Sequence, residues 1–330
     1  MKIGYFGSGV WAFALANLLA DNGHSIMMWS IEKDVIAHLK KYKKHPRLEE
    51  FNAHPNISYT EDIQEAMRGA EILVEGVTGG GVRSVFSTIK STIPKVPIVL
   101  TSKGIEQHTG MLLTDVLIDV LGEEFKPFIG CISGPSLATE VLQKMPTSVV
   151  ASAFEEKTMM MIQKAFNGAY FRTYYNPDIR GVEFGGAMKN CIAIACGISD
   201  GLGYGNNTKA AIMTRGLHEI RRLGLKLGCK QETINGLSGM GDLCLTCMSE
   251  KSRNHRLGVL LSQGKNLEEA KQIIGMATEG AYTIVSALEL SKKYDIPLPI
   301  TEATNHVLNG QPAKTAVLAL LERSIKEEIV

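Results

Sequence analysis

The run Gly7-Ser8-Gly9-Val10-Trp11-Ala12 stands directly between a short apolar stretch, Lys2–Phe6, and a small-residue helical stretch, Trp11–Asn22. No other feature constrains the fold as strongly. Gly7 permits a tight strand-to-helix turn. Gly9 has no Cβ, so an anion as bulky as a pyrophosphate can reach the backbone and the helix N-terminus. Ala12 fills the third position, where helix and strand need only a small side chain. The next apolar run, Ser25–Trp29, leads into Ser30-Ile31-Glu32. A carboxylate at this point accepts from a ribose 2′-hydroxyl, whereas a cation here holds a 2′-phosphate. The turn therefore reads as a dinucleotide site, with Gly7, Gly9 and Glu32 as cofactor contacts. Glu32 favours NAD, while Lys33 beside it leaves NADP open.

Apolar runs and amphipathic segments alternate onward from this turn, the pattern of a doubly wound α/β sheet. Strands are expected at Lys2–Phe6, Ser25–Trp29, Ile57–Tyr59, Glu71–Val77, Ile98–Thr101, Phe128–Ser133 and Ser148–Ala153. Helices are expected at Trp11–Asn22, Asp62–Arg68, Gly81–Ile89, Gly110–Leu121 and Glu155–Phe166. Beyond Asn176-Pro177 the periodicity becomes helical throughout. Helices are expected there at Ile179–Leu202, Asn207–Leu227, Ser252–Leu261, Leu267–Ile274, Ala281–Tyr294, Thr301–Leu308 and Lys314–Lys326. This predicts a dinucleotide-binding Rossmann-type domain at 1–178 and an all-helical, substrate-binding domain at 179–330.

Composition narrows the partners. Thirty-five Lys+Arg against 34 Asp+Glu give a net charge of +1, so no molecule-wide field gathers nucleic acid or acidic lipid. An anionic substrate must then be held by local groups. No run reaches the roughly 20 apolar residues that span a bilayer, and the N-terminus resembles no targeting segment, which predicts a cytoplasmic protein. Of the six cysteines, Cys244 and Cys247 form a lone Cys-x-x-Cys pair, too few ligands for zinc, so no metal is expected.

Three constellations carry chemistry. Thr101-Ser102-Lys103-Gly104 lies at the carboxyl end of an expected strand, where open α/β sheets bind ligands. Gly185-Gly186-Ala187-Met188-Lys189-Asn190 sets a lysine in a helix whose other charges between Gly181 and Leu202 are Glu183 and Asp200. The small neighbours invite close packing, and a desolvated lysine moves its pKa toward the range of a working proton donor. The third joins Gly239-Met240-Gly241-Asp242, whose glycines suggest a tight backbone presenting a carboxylate able to orient a lysine, to the Ser252-Arg253-Asn254 run that follows. Ser252-Arg253-Asn254 opens a helix with hydroxyl, guanidinium, amide and free N–H groups suited to a phosphate. Each also has a plain structural reading: a solvated Lys103, a snorkelling Lys189, an N-cap at Ser252.

Together these stretches resemble the NAD(P)-dependent glycerol-3-phosphate dehydrogenases over nearly the whole chain. Ser133-Gly134-Pro135-Ser136, Ser199-Asp200-Gly201-Leu202-Gly203-Tyr204-Gly205 and Gly241-Asp242-Leu243 join the motifs above in the family's order. The resemblance implies that Lys189 binds substrate and transfers the proton on its oxygen, with Lys103 and Asp242 helping to hold substrate and shaping that lysine's surroundings. It implies substrate contacts from Gly134, Ser136, Ser252, Arg253 and Asn254, and cofactor contacts from Val10, Trp11, Lys103, Ala138, Arg253 and Glu279. It further implies a cytoplasmic homodimer that reduces dihydroxyacetone phosphate for phospholipid synthesis. Ala12, Val10, Ile31 and Gly76-Val77-Thr78-Gly79 depart from the pattern of many bacterial members. These departures bear on the choice of NAD or NADP rather than on the reaction. Two other readings share some of the features: a β-hydroxyacid dehydrogenase-like enzyme acting on a carboxylate substrate, and a nucleotide-sensing protein without chemistry.

Overall fold

A computed structural model describes residues 1–324 and 327–328 of the chain. Its strands are β1 (Lys2–Phe6), β2 (Ser25–Trp29), β3 (Lys44–His45), β4 (Leu48–Asn52), β5 (Ile57–Thr60), β6 (Ile72–Glu75), β7 (Ile98–Leu100), β8 (Ile129–Ser133), β9 (Thr147–Ala153) and β10 (Phe171–Tyr175). Eight of them form one sheet in the order β10-β9-β8-β7-β6-β1-β2-β5, and β3 and β4 make a separate antiparallel hairpin. Strand β1 lies between β2 and β6, parallel to both. The strand order therefore reverses beside β1, and the crevice at its carboxyl end is where an open α/β sheet receives a ligand. The interior strands are buried on both faces, as the near-continuous apolar runs require.

The expected α/β class holds, with three differences of detail. The sheet is not wholly parallel, because β9 pairs with β8 antiparallel. The five-residue helix Ala138–Leu142 between them rises only about 7 Å, too little to carry the chain back along a strand. A helix at Lys33–Tyr42 and the β3–β4 hairpin occupy a stretch where no element was expected. That helix buries only Ile36 and Leu39, so its apolar signal is thin. Edge strand β10 was also unforeseen, although Phe171 and Thr173 point inward in regular alternation.

Among the described residues no strand follows Tyr175; helices account for the regular structure from Ile179 onward. The long helix Ile179–Gly201 runs through the middle of this half and is buried along nearly its entire length. Its crossing with helix Arg253–Ser262 is unusually close. A Cβ on Gly197 would lie 2.0 Å from the His255 carbonyl oxygen, and one on Gly258 would lie 2.1 Å from that of Ile194. Among the described residues the last helix ends at Leu321. The stretch expected to be helical to Lys326 thus stops short, and residues 325–326 lie outside the described residues. No helix among the described residues is long and apolar enough to cross a membrane.

Candidate active site

The glycine turn has the shape that its sequence demands. Gly7 takes a φ of +116°, and a Cβ there would sit 2.2 Å from the Gly76 carbonyl oxygen. Its N–H donates to the Trp29 carbonyl at 2.7 Å. Gly9 caps the helix Val10–Asp21, and a Cβ on it would meet nothing within 4 Å. The N-terminus of that helix is thus open to a phosphate, which is the fit a dinucleotide needs. Val10 and Trp11 are half-buried on its first turn, and Ala12 is buried against the end of β6. The Ser8 hydroxyl donates to the exposed Glu32 carboxylate at 3.5 Å, so the acid after β2 stands beside the turn. His45 of the hairpin also reaches this loop, its Nε2 lying 2.9 Å from the Ser8 carbonyl oxygen.

Across the crevice, three charged side chains from distant parts of the chain meet. Lys189 Nζ donates to Asp242 Oδ1 at 2.6 Å and to Thr246 Oγ1 at 2.7 Å. Lys103 Nζ donates to the other carboxylate oxygen of Asp242 at 2.5 Å and to the Gly134 carbonyl at 3.2 Å. Lys189 is 8% exposed and Asp242 is 1% exposed, so one buried carboxylate serves two ammonium groups. Burial pushes the Lys189 ammonium down to about 8; Asp242 opposes that shift and Lys103 adds to it. Burial alone would raise the Asp242 carboxyl, but the two lysines outweigh it and hold it below the usual carboxylate range.

Glycines allow this convergence. A Cβ on Gly185 would fall 2.9 Å from Gly239 Cα, and one on Gly186 would fall 2.5 Å from Ser133 Oγ. One face of the lysine helix therefore accepts the segment before Asp242, and the adjoining face accepts the end of β8. The backbone around Asp242 is helical. A single π-helical turn, Leu237–Gly241, leads into a helix at Asp242–Met248. Widened turns of this kind recur at functional sites. Thr246 lies one helical turn after Asp242, and its hydroxyl donates to the Asp242 carbonyl. The sequence reading missed this partner, because the i, i+4 signal is visible only once the short helix is known.

Of the remaining residues, Gly134 touches this cluster directly and Asn254 adjoins it through Asn190, the neighbour of Lys189. Gly134 has a φ of +147°, and its carbonyl accepts from both Lys103 and the Ser136 hydroxyl. Ala138 begins the short helix beyond it. Ser252 is an N-cap accepting from the His255 N–H, which leaves its hydroxyl proton free, and Arg253 is exposed on the first turn. Asn254 is engaged within the protein: its amide donates to Asn190 and its oxygen accepts from the Gly280 N–H. Glu279 accepts from the Gly79 N–H at 3.2 Å, reaching from the helical half to the end of β6.

A glycine turn at the switch point of an open sheet, facing a buried lysine–aspartate cluster on a helical lobe, defines a nicotinamide-dependent dehydrogenase of the two-lobed kind. Two family models match the chain: the NAD-dependent glycerol-3-phosphate dehydrogenase N-terminus over residues 2–159 and the C-terminus over residues 178–319. The chain belongs to the NAD-dependent glycerol-3-phosphate dehydrogenase family. It is 52% identical over 330 residues to the glycerol-3-phosphate dehydrogenase [NAD(P)+] of Protochlamydia amoebophila, covering 99% of each chain. It is 49% identical to that of Chlamydia pneumoniae, again over 99% of each. The crystal structure of glycerol-3-phosphate dehydrogenase from Coxiella burnetii superposes with a TM-score of 0.93 at 36% identity, covering 98% of this chain and 99% of that one.

Proposed function

We propose that the chain catalyses reversible hydride transfer between NAD(P)H and dihydroxyacetone phosphate, giving sn-glycerol 3-phosphate. Residues 1–178 hold the dinucleotide and 179–330 the substrate. The observation that carries this reading is the buried Lys189–Asp242–Lys103 cluster, with Lys103 following a strand of the same sheet that carries the glycine turn. Bound nicotinamide supplies the hydride; the protein handles the charge that follows. As the carbonyl carbon is reduced, negative charge grows on its oxygen, and protonated Lys189 stabilises that charge and donates its proton there. In oxidation the neutral amine removes it. Asp242 aims the amine, and Lys103 holds Asp242 from the other side. Ser252 and Arg253, with the helix N-terminus they open, meet the phosphate; Gly134, Ser136 and Asn254 complete the substrate wall. Gly7, Gly9, Val10, Trp11, Ala138 and Glu279 line the dinucleotide's path.

Glu32 beside the turn and the exposed Ile31, in place of a cation, support NAD over NADP. The family resemblance supports a cytoplasmic homodimer that supplies glycerol phosphate to phospholipid synthesis. Initial rates with dihydroxyacetone phosphate, comparing NADH with NADPH, test substrate and cofactor together. Lys189→Ala should lower turnover by about 10²–10⁴-fold with cofactor affinity intact. Near-normal turnover in that variant would overturn the assignment of the proton donor.

A further inference from the structure

A second buried acid lies beneath this site and takes no part in the chemistry just described. Glu75 is the last residue of β6 and is 0% exposed, after the apolar run Ile72-Leu73-Val74. Its carboxylate accepts from the Ser102 hydroxyl at 2.8 Å, the Ser102 N–H at 3.2 Å and the Thr101 N–H at 3.2 Å. Its main-chain carbonyl accepts from the Thr101 hydroxyl at 2.7 Å, and the Ser102 hydroxyl also contacts the Val77 carbonyl. The next residue in the chain is Lys103, whose amine holds Asp242. Two successive backbone amides before that lysine are thus tied to one side chain from the neighbouring strand.

From this geometry we infer that Glu75 is a positioning residue for the reaction: it fixes the Thr101–Ser102 backbone, so that Lys103 reaches Asp242 and sets the charge around Lys189. The inference rests on the proposed role of the lysine cluster. Stability is a poor account of this acid, since an apolar residue in an interior strand avoids the desolvation that a buried carboxylate suffers. Burial pushes its carboxyl up to about 7 in spite of the three donors, so the arrangement is costly to keep. What the carboxylate adds over a leucine is direction: three hydrogen bonds to consecutive residues at the mouth of the crevice. Among the described residues Tyr5 adds another titratable group to this nest, its ring lying against the end of β6 and its hydroxyl near Thr101 and Glu75.

The test uses Glu75→Leu, Glu75→Gln and Ser102→Ala in the full-length chain, with kcat, KM, cofactor Kd, thermal midpoint and the pH dependence of kcat measured for each. A misplacement near 1 Å costs about 100-fold in rate, so Glu75→Leu should lose about 10–100-fold in kcat while cofactor Kd stays within about 3-fold. Lys189 is faced by Asp242, Thr246, Cys247 and Lys103, and of these only the like-charged Lys103 depends on the Glu75 loop. Its displacement removes a charge that holds the Lys189 ammonium down. The alkaline limb of ketone reduction should therefore move to higher pH, a change that general destabilisation does not produce. Glu75→Gln keeps one acceptor and should recover part of kcat, and Ser102→Ala should shift the limb in the same direction. Should Glu75→Leu fail to fold, the other two variants decide by the same readouts. Unchanged kcat and an unmoved limb in the folded variants overturn the inference. If Lys189→Ala abolishes turnover while these variants are silent, only Glu75 loses its role; if Lys189→Ala is itself active, the reading of the whole cluster fails.

Discussion

Lys189 has a titration that runs opposite ways in the two directions of the reaction. Desolvation brings its ammonium down to about 8, so ketone reduction, which needs the protonated form, should decline as pH rises past about 8. Alcohol oxidation needs the neutral amine and should decline as pH falls below the same value. Profiles of kcat against pH in both directions check this; limbs that do not mirror one another would remove Lys189 from the proton path. Asp242→Asn exposes the amine to Lys103 without a counter-charge. The reducing limb should then move to lower pH, and stability should fall by about 3–5 kcal/mol, the cost of leaving a buried ion without its partner. A denaturant titration with an unaltered midpoint would contradict that loss. At this scale the motifs were legible: Lys189 and Asp242 could be named from small-residue neighbourhoods, and Lys103 from its place at the carboxyl end of a strand. Glu75 could have been noticed as a lone acid in an apolar run, but its partners lie on another strand. Asn254 was assigned to substrate with no sign in the sequence that its amide also ties Asn190 to Gly280.

Helices in this protein are placed by what their glycines omit. Gly197 and Gly258 face each other's helix backbones across the crossing of Ile179–Gly201 with Arg253–Ser262. That contact fixes the N-terminus carrying Ser252 and Arg253 relative to Lys189. A methyl group at Gly197 would sit 2.0 Å from a carbonyl oxygen, and backbone cannot rotate away as a flexible side chain does. Gly197→Ala should therefore destabilise by about 1–3 kcal/mol or more and raise KM for the phosphorylated substrate more than it changes cofactor affinity. Thermal unfolding together with steady-state kinetics tests this, and an unaffected KM would separate the crossing from the substrate site. Long helices were read well from the sequence because 3.6-residue periodicity accumulates over many turns. The π-turn at Leu237–Gly241, the helix at Asp242–Met248 and the two-residue strand β3 were not, since each is too short for a period and depends on neighbours for its form.

Across the molecule, buried acids set the response of stability to pH. Glu75, Glu183 and Glu219 are each pushed up to about 7 by desolvation, against hydrogen bonds that only partly offset it. An acid whose folded pKa is raised stabilises the fold fully below its unfolded value, here about 4.5, and that contribution is lost as pH rises through about 7. The thermal midpoint without cofactor should therefore fall between about pH 5.5 and 7.5. The lowered Lys189 pKa acts in the opposite sense, but between about 8 and 10.5, outside that window. A midpoint that rises across the lower interval would show that these acids are ionised in the folded state. The α/β class with its helical C-terminal region, and the glycine turn, were determined by the sequence alone, because backbone sterics and hydrophobic periodicity act over neighbouring residues. The antiparallel turn of β9, the sharing of Asp242 between two lysines and the anchoring of the Lys103 loop by Glu75 were decided by tertiary structure. The last two features join residues 26 to 139 positions apart, and no local pattern records which distant groups will share one buried charge.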